Sequence, residues 1–245
     1  QSESYISITD DGVGMTKDEL LENMRLGCKD PYKNRAKGDL GRFGSGMKTA
    51  SFSQAKKLIV ISKAKGKSIN AAIWDIERIE KENKWILATL SGKELSKIKQ
   101  LKINKHTLSG TQVLWLNIDR YEKTGKDSQF DLEQALINDI VGIKRSIAVL
   151  FHRFIKVEPE DKKDIKKINI SLNDNKIKAI DPFMKSYSGY QFSGRDVIRG
   201  AMGKTSIFIH NVPHPDKLKK QVLDDLGGYE NYNQNLRTLP FVYFS

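Results

Sequence analysis

Three glycine-bearing clusters are the parts of this sequence whose residue types and spacing could do chemistry. In chain order they are Asp10-Asp11-Gly12-Val13-Gly14-Met15, Gly41-Arg42-Phe43-Gly44-Ser45-Gly46-Met47-Lys48 and Ser109-Gly110-Thr111. A carboxylate at the end of a strand can accept a hydrogen bond from an exocyclic amine, and the glycines after it let a flat ring lie against bare backbone. A glycine loop that leads into a helix presents backbone N–H groups and a positive helix end, which suit phosphates.

Together the clusters predict a site for an adenine nucleotide. The candidate residues for the base are Asp10, Gly12, Gly14, Met15 and Thr111. The candidate residues for the phosphates are Gly41, Arg42, Phe43, Gly44, Ser45, Gly46, Met47 and Lys48. No catalytic residue and no metal ligand can be assigned from the sequence.

Each cluster also has a structural interpretation. Glycine is the default residue wherever the backbone takes positive φ, so any one of the clusters is more often a plain turn. In that interpretation Asp10 is a turn-forming Asx residue and Thr111 is an ordinary β-branched strand residue. Two near matches to the P-loop fail, because Met47 separates Gly46 from Lys48 and Ile198 stands where the first P-loop glycine should be.

Alternation and capping signals predict the elements that position these clusters. A strand over residues 4–9 leads into the first cluster, and the pair Thr16 and Glu19 forms a capping box before a helix that Gly27 ends. Residues 28–46 have no apolar period and are interpreted as a basic loop that acts as a lid. A short helix over 48–55 follows, and then strands over 57–62, 68–75, 85–90 and 111–117, which in succession suggest an antiparallel meander.

The later part of the sequence has a different composition. Apolar residues spaced three or four apart predict a long helix over residues 130–154, and a charge-dense stretch follows at 158–167. Strands are expected over 168–172 and 176–180, and a turn over 203–206 is expected before a last strand over 207–210. These signals predict two domains, residues 1–155 and residues 156–245.

At the glycine clusters the sequence resembles the GHKL superfamily of ATPases, which groups DNA gyrase, the ninety-kilodalton heat-shock chaperones, sensor histidine kinases and MutL. ITDDGVGM is similar to its DxGxG adenine box, GRFGSGMK to its glycine-rich lid motif, and SGTQVLW to its later GT motif. Within the superfamily, DDGVGMTKDELLENMRLGCKD and GRFGSGMKTASFSQAKKLIVISK look most like MORC proteins and their prokaryotic relatives. The similarity extends more faintly to INISLNDNKIKAIDPF and beyond, so it covers most of the chain.

This resemblance implies an α+β fold class, namely a two-layer α/β sandwich of the Bergerat type with a mixed sheet, followed by a smaller α/β transducer-like domain. It implies ATP and Mg²⁺ as ligands, and nucleotide-dependent closure or homodimerisation that acts on DNA. The resemblance also implies a helix about thirty residues before the adenine box, which in GHKL ATPases carries a water-activating glutamate and a magnesium-binding asparagine. Only nine residues precede Asp10, so neither residue can be assigned. The transducer lysine is also not found. Two function classes stay open. One is an ATPase acting on DNA, and the other is a module that holds nucleotide, or serves as a structural partner, without hydrolysis.

The composition of the chain indicates its cellular location and the kinds of partner it could bind. The formal net charge of +12 and the pI of about 9.5 make a polyanionic partner favourable, and DNA contact through a basic surface stands at even odds with simple solvated lysines. The single cysteine, Cys28, fits a reducing intracellular location, cytoplasmic or nuclear. No apolar run approaches the length of a membrane helix, so no membrane partner is expected.

Overall fold

The computed structural model of the chain describes residues 4–27, 44–90, 92–118, 129–157, 166–187, 189–200, 203–226, 228–229 and 232. The chain divides into two compact units, Gln1–Asp127 and Ser128–Ser245. The sequence placed its domain boundary later, after residue 155, so the long helix expected to close the first domain lies in the second unit.

The first unit is built around a five-stranded sheet. Its strands are β1 (Tyr5–Asp10), β2 (Ala55–Lys63), β3 (Asn70–Asp75), β4 (Ala88–Leu90) and β5 (Gly110–Ile118). The order across the sheet is β1-β5-β2-β3-β4, and every pair in it is antiparallel. The α+β class is confirmed, but the described strands contain no parallel pair of the kind that a mixed sheet would have.

The predicted meander holds only for β2, β3 and β4. The last strand, β5, lies between β1 and β2 instead of beside β4. Residues Gln112 and Leu114 of β5 are buried toward one sheet face, while Val113 and Trp115 pack on the other. A strand covered on both faces is stable in the middle of a sheet, and adjacency along the chain could not reveal that position.

Four helices accompany this sheet within the described part of the first unit: α1 (Lys17–Met24), α2 (Gly46–Phe52), α3 (Ile76–Glu82) and α4 (Gly92–Leu95). The capping box of α1 is confirmed, since Thr16 and Glu19 bond each other's backbone N–H groups. The α1 helix ends at Met24, earlier than the predicted stop at Gly27.

Two apolar cores lie on the two faces of the sheet. On one face α1 packs through Leu20 and Met24 against strand residues, and the buried members of that core are Leu20, Met24, Leu58, Val60, Ala72 and Trp74. The buried members of the other core are Ile59, Ile61, Ala71, Leu95, Ile103 and Leu114. Successive residues of β2 alternate between the two cores. The middle strand is therefore packed on both faces, and this packing fixes the position of the strands beside it.

The second unit contains the remaining described elements. They are α5 (Gln129–Leu150), α6 (His152–Ile155), β6 (Ser171–Leu172), β7 (Asn175–Lys176), β8 (Gln191–Gly200), β9 (Gly203–Asn211), a 3₁₀ turn (Pro215–Lys217) and α7 (Lys220–Asp225). The predicted helix over 130–154 is interrupted at Phe151, which leaves helical geometry between α5 and α6. Ala148 near the end of α5 packs with Ile155 and Ile177, and these contacts place the long helix with the residues that follow it.

Two strand predictions for the second unit need correction. The strands over 168–172 and 176–180 shorten to the two-residue β6 and β7, joined by Asn173 and Asp174 in left-handed conformations. The turn expected at residues 203–206 is instead the start of β9, which pairs antiparallel with β8 from Gly200↔Gly203 to Gln191↔Asn211. Pairing with β8, a strand that the sequence analysis did not predict, overrides the local turn signal of Gly203.

Candidate functional site

Asp10 lies at the last position of β1, where its side chain is exposed. Its Oδ1 accepts a hydrogen bond of 2.9 Å from the backbone N–H of Gly12. This is the Asx-type turn that the structural interpretation expected. The bond uses one carboxylate oxygen, and within the described residues Oδ2 has no partner, so the carboxylate keeps an acceptor for a ligand.

Thr111 stands directly opposite Asp10 on the neighbouring strand β5. Directly paired residues of an antiparallel sheet project on the same face with Cβ atoms about 4.5–5.5 Å apart. Thr111 is also the partner of Ser62 on β2. The first and third glycine clusters therefore meet across three adjacent strand ends, and the site residues Asp10 and Thr111 are brought together.

Ser62 connects these strand ends and was not identified from the sequence. Its side chain is 0% exposed. The Ser62 hydroxyl accepts the backbone N–H of Met15 at 2.8 Å, and it lies 3.1 Å from the Gly110 carbonyl oxygen and 2.9 Å from Thr111 Oγ1. The available signal was a lone hydroxyl at the end of the apolar run Leu58 to Ile61, because a buried polar side chain in such a strand needs bonding partners.

Gly14 and Gly110 allow the backbone to close around Ser62. Gly14 has φ +66° and lies so close to the carbonyl oxygen of Lys63 that a Cβ atom would overlap it. Gly110 has φ +150°, and a Cβ atom there would overlap the carbonyl oxygen of Asp10. Both glycines are therefore required by close approach as well as by conformation, and they fix the turn after Asp10 against the ends of β2 and β5.

The second glycine cluster is described only in part. Gly41, Arg42 and Phe43 lie outside the described residues, as do residues 28–40 of the predicted lid. Gly44 has a left-handed φ of 65°, Ser45 is the residue before α2, and Gly46 begins that helix. Met47 packs against the core beneath α1. This cluster leads directly into a helix as predicted, whereas its contact with phosphates stays a prediction.

Lys48 is placed differently from the sequence expectation of an added charge for phosphates. Its side chain is 1% exposed, and its ammonium donates a 2.6 Å hydrogen bond to the carbonyl oxygen of Asn23. The indole N–H of Trp74 bonds the next carbonyl oxygen, that of Met24, at 3.0 Å. The last carbonyl groups of a helix have no partner within the helix, so Lys48 and Trp74 supply partners for the end of α1.

At the other end of α1, the surroundings of Glu19 shift the pKa of its carboxyl group. Its Oε2 accepts the backbone N–H and the hydroxyl of Thr16, each at 2.8 Å. These bonds, the backbone one first, lower the pKa of the Glu19 carboxyl because they favour its ionised form. Three successive residues therefore hold the turn that follows Asp10. Gly14 packs against Lys63, Met15 bonds Ser62, and Thr16 bonds Glu19.

The family resemblance also implies Mg²⁺, which accompanies ATP. Among the described residues no cluster of three or more histidine, cysteine, aspartate or glutamate side chains has the spacing for a metal ion. Mg²⁺ bound with a nucleotide usually takes only one or two protein ligands and completes its shell with phosphates and water. A magnesium site of that kind needs no such cluster of side chains.

Comparison with known proteins finds a family model and a relative that this chain resembles. Residues 1–111 match the family model described as "Histidine kinase-, DNA gyrase B-, and HSP90-like ATPase". A stretch of 67 residues is 31% identical to ATPase morc-1 of Caenorhabditis elegans, and it amounts to 26% of this chain and 7% of that relative's length. The resemblance to GHKL ATPases is therefore confirmed, with the family model matching residues 1–111 and a MORC protein among the relatives. Among the described helices, none combines the length and apolar composition needed to cross a membrane.

Proposed function

We propose that this chain, whose first 111 residues match the GHKL-type ATPase family model, is an ATP-binding ATPase module. The observation that carries the proposal is the junction of Asp10, Thr111 and Ser62 at three adjacent strand ends. An exposed carboxylate and a hydroxyl share one face there, and the exposed Gly12 follows in the same turn. This arrangement suits a flat base with an exocyclic amine.

The remainder of the nucleotide is assigned to the second cluster. Gly44 and Ser45 precede α2, which begins at Gly46, and we propose that residues 28–46 act as a lid that closes over the phosphates. Lys48 serves this site indirectly in our proposal, since its ammonium is bonded at the end of α1. Mg²⁺ is proposed to accompany ATP, as it usually does with nucleoside triphosphates.

We further propose that closure or dimerisation driven by ATP acts on DNA, with residues from 156 onward forming a transducer-like domain. The net charge of +12 supports a polyanionic partner. One lysine pair does not contribute to that support, because Lys57 bonds Asp75 at 2.8 Å and Lys56 lies 3.8 Å from Glu77. The single cysteine supports an intracellular location. The alternative function is a module that holds nucleotide without hydrolysing it.

Asp10→Asn tests base recognition, with Asp11→Asn as its matched control. Both variants remove one exposed carboxylate from the same turn, but only Asp10 lies opposite Thr111. Losing the acceptor should cost about 1–3 kcal/mol of binding, or roughly five-fold or more in ATP affinity. Calorimetry on folded protein that shows equal ATP affinity for Asp10→Asn and Asp11→Asn contradicts the assignment.

Phosphate release separates the two function classes. The full-length gene product is assayed with ATP and Mg²⁺, with and without duplex DNA, alongside the Asp10→Asn variant. An ATPase that acts on DNA releases phosphate and does so at a different rate with DNA. The variant should need roughly five-fold or more ATP for half-maximal release. ATP binding without release beyond background favours the non-hydrolysing module.

A further inference from the structure

The hydrogen bonds of Ser62 determine which way the Thr111 hydroxyl points. A serine hydroxyl has one hydrogen to donate and two lone pairs that accept. The Met15 N–H occupies one lone pair at 2.8 Å. The Gly110 carbonyl oxygen, 3.1 Å away, can only accept, so the Ser62 hydrogen is directed there. The contact of 2.9 Å between Ser62 and Thr111 then has Thr111 as the donor.

This assignment leaves no buried polar group of the cluster unsatisfied. Ser62 donates once and accepts twice, which is its full capacity, and such completeness is the rule for a side chain that is 0% exposed. Thr111 has a single hydrogen, and it is used inward toward Ser62. The lone pairs of Thr111 Oγ1 are what remains for a ligand.

We infer that Ser62 is a positioning residue that holds the Thr111 hydroxyl as an acceptor, so that the site selects 6-aminopurine over 6-oxopurine nucleotides. Asp10, directly opposite Thr111, is an acceptor as well. Two acceptors on one face match the two hydrogens of an exocyclic amine. They reject a 6-oxo group, which would bring a third acceptor into the same place and leave it unpaired.

The inference rests on the proposed function, because it describes how the proposed ATP site reads its base. ATP and ITP are suitable probes, since they differ in carrying a 6-amino or a 6-oxo group. The measured quantity is the ratio of the ITP dissociation constant to the ATP dissociation constant, obtained by calorimetry on the full-length protein. Effects of a variant on folding or on phosphate contacts act on both nucleotides and cancel in this ratio.

Ser62→Ala frees the Thr111 hydrogen to rotate toward a ligand and donate to a 6-oxo oxygen. The ITP-to-ATP ratio should therefore fall by about five- to ten-fold, the size expected for one hydrogen bond gained or lost. Ser51→Ala is the matched control, because Ser51 is equally buried but bonds the Met47 carbonyl oxygen within its own helix. The ratio for Ser51→Ala should equal that of the wild type.

Thr111→Val tests the route of the effect and does not depend on Ser62→Ala folding. Removing the acceptor should lower the ratio, and adding Ser62→Ala to Thr111→Val should change it no further, as expected when one residue acts through another.

An unchanged ratio in Thr111→Val, or a further drop in the double variant, overturns the inference. Wild-type protein that binds neither nucleotide overturns the proposed function with it. Wild-type protein that binds ATP, with a ratio that no variant moves, overturns this inference alone.

Discussion

The α-carbon of Gly14 lies against the backbone carbonyl oxygen of Lys63, with no room between them for a side chain. Gly14 belongs to the turn after β1, and Lys63 is the last residue of β2. The neighbouring bond from Met15 to Ser62 holds the same two segments together. The turn that presents Asp10 is therefore positioned by contact with β2, two strands away in the sheet.

Gly14→Ala should destabilise the first unit strongly and weaken ATP binding. A left-handed backbone costs an alanine about 1–2 kcal/mol. The overlap with Lys63 adds to this, so a total of about 3 kcal/mol or more is expected. The measurement is the free energy of unfolding in urea.

Gly66→Ala is the matched control for that experiment. Gly66 has a similar φ of 71°, but a Cβ atom there has nothing within 4 Å. It should lose only the conformational part, about 1–2 kcal/mol. Equal losses in the two variants would show that the contact with Lys63 is unimportant.

Lys48→Met should lower stability without selectively weakening phosphate binding. Methionine keeps the apolar stem, but the carbonyl oxygen of Asn23 loses its bond from the ammonium, at a cost of about 1–3 kcal/mol. The ratio of ATP to AMP affinity should change by less than about three-fold, because a lost charge-assisted bond to a terminal phosphate would cost about ten-fold or more.

Lys65→Met controls for the loss of one positive charge, since Lys65 is exposed in the turn between β2 and β3. Its unfolding free energy should remain near that of the wild type. A selective loss of ATP affinity over AMP affinity in Lys48→Met would restore Lys48 as a direct phosphate ligand.

The sequence predicts correctly those features of the site that depend on residues close together along the chain. The capping box at Thr16 and Glu19 and the turn after Asp10 depend on residues a few positions apart, and both are present. Ser62 and Lys48 could not be assigned in the same way, since their partners lie 47 and 25 positions away along the chain. Only the register of β1, β5 and β2 brings such residues together, and the place of β5 in the sheet depends on burial of both its faces.

Glu19 should make the stability of the first unit depend on pH in the acid range. Its pKa in the folded chain lies below the ordinary value of 4.5, because Thr16 bonds its ionised form. The carboxylate therefore stabilises the fold above pH 4.5, and this contribution is lost as the pH falls through the lowered pKa. Glu19→Gln should lack that dependence.

The melting temperatures of wild type and Glu19→Gln, followed from neutral to acid pH, measure this effect. Their difference should shrink as the pH falls, and Glu22→Gln controls for removing a carboxylate from the same helix. A difference that stays constant across the acid range would mean that the ionised form of Glu19 has no special role at the start of α1.

Binding to duplex DNA should weaken steeply with salt, and the steepness should depend on particular lysines. Each phosphate neutralised adds about 0.9 to the slope of log affinity against log salt.

Lys219 and Lys220 are exposed at the start of α7, whereas Lys56 and Lys57 face Glu77 and Asp75. Replacing Lys219 and Lys220 together by alanine should reduce the slope by up to about 1.8, the value for two phosphates. The same double replacement at Lys56 and Lys57 should reduce the slope less, because Glu77 and Asp75 lie beside those ammonium groups and offset their charge. A slope that is flat in the wild type, or no binding at about 50 mM salt, would identify the excess lysines as solvated surface charge.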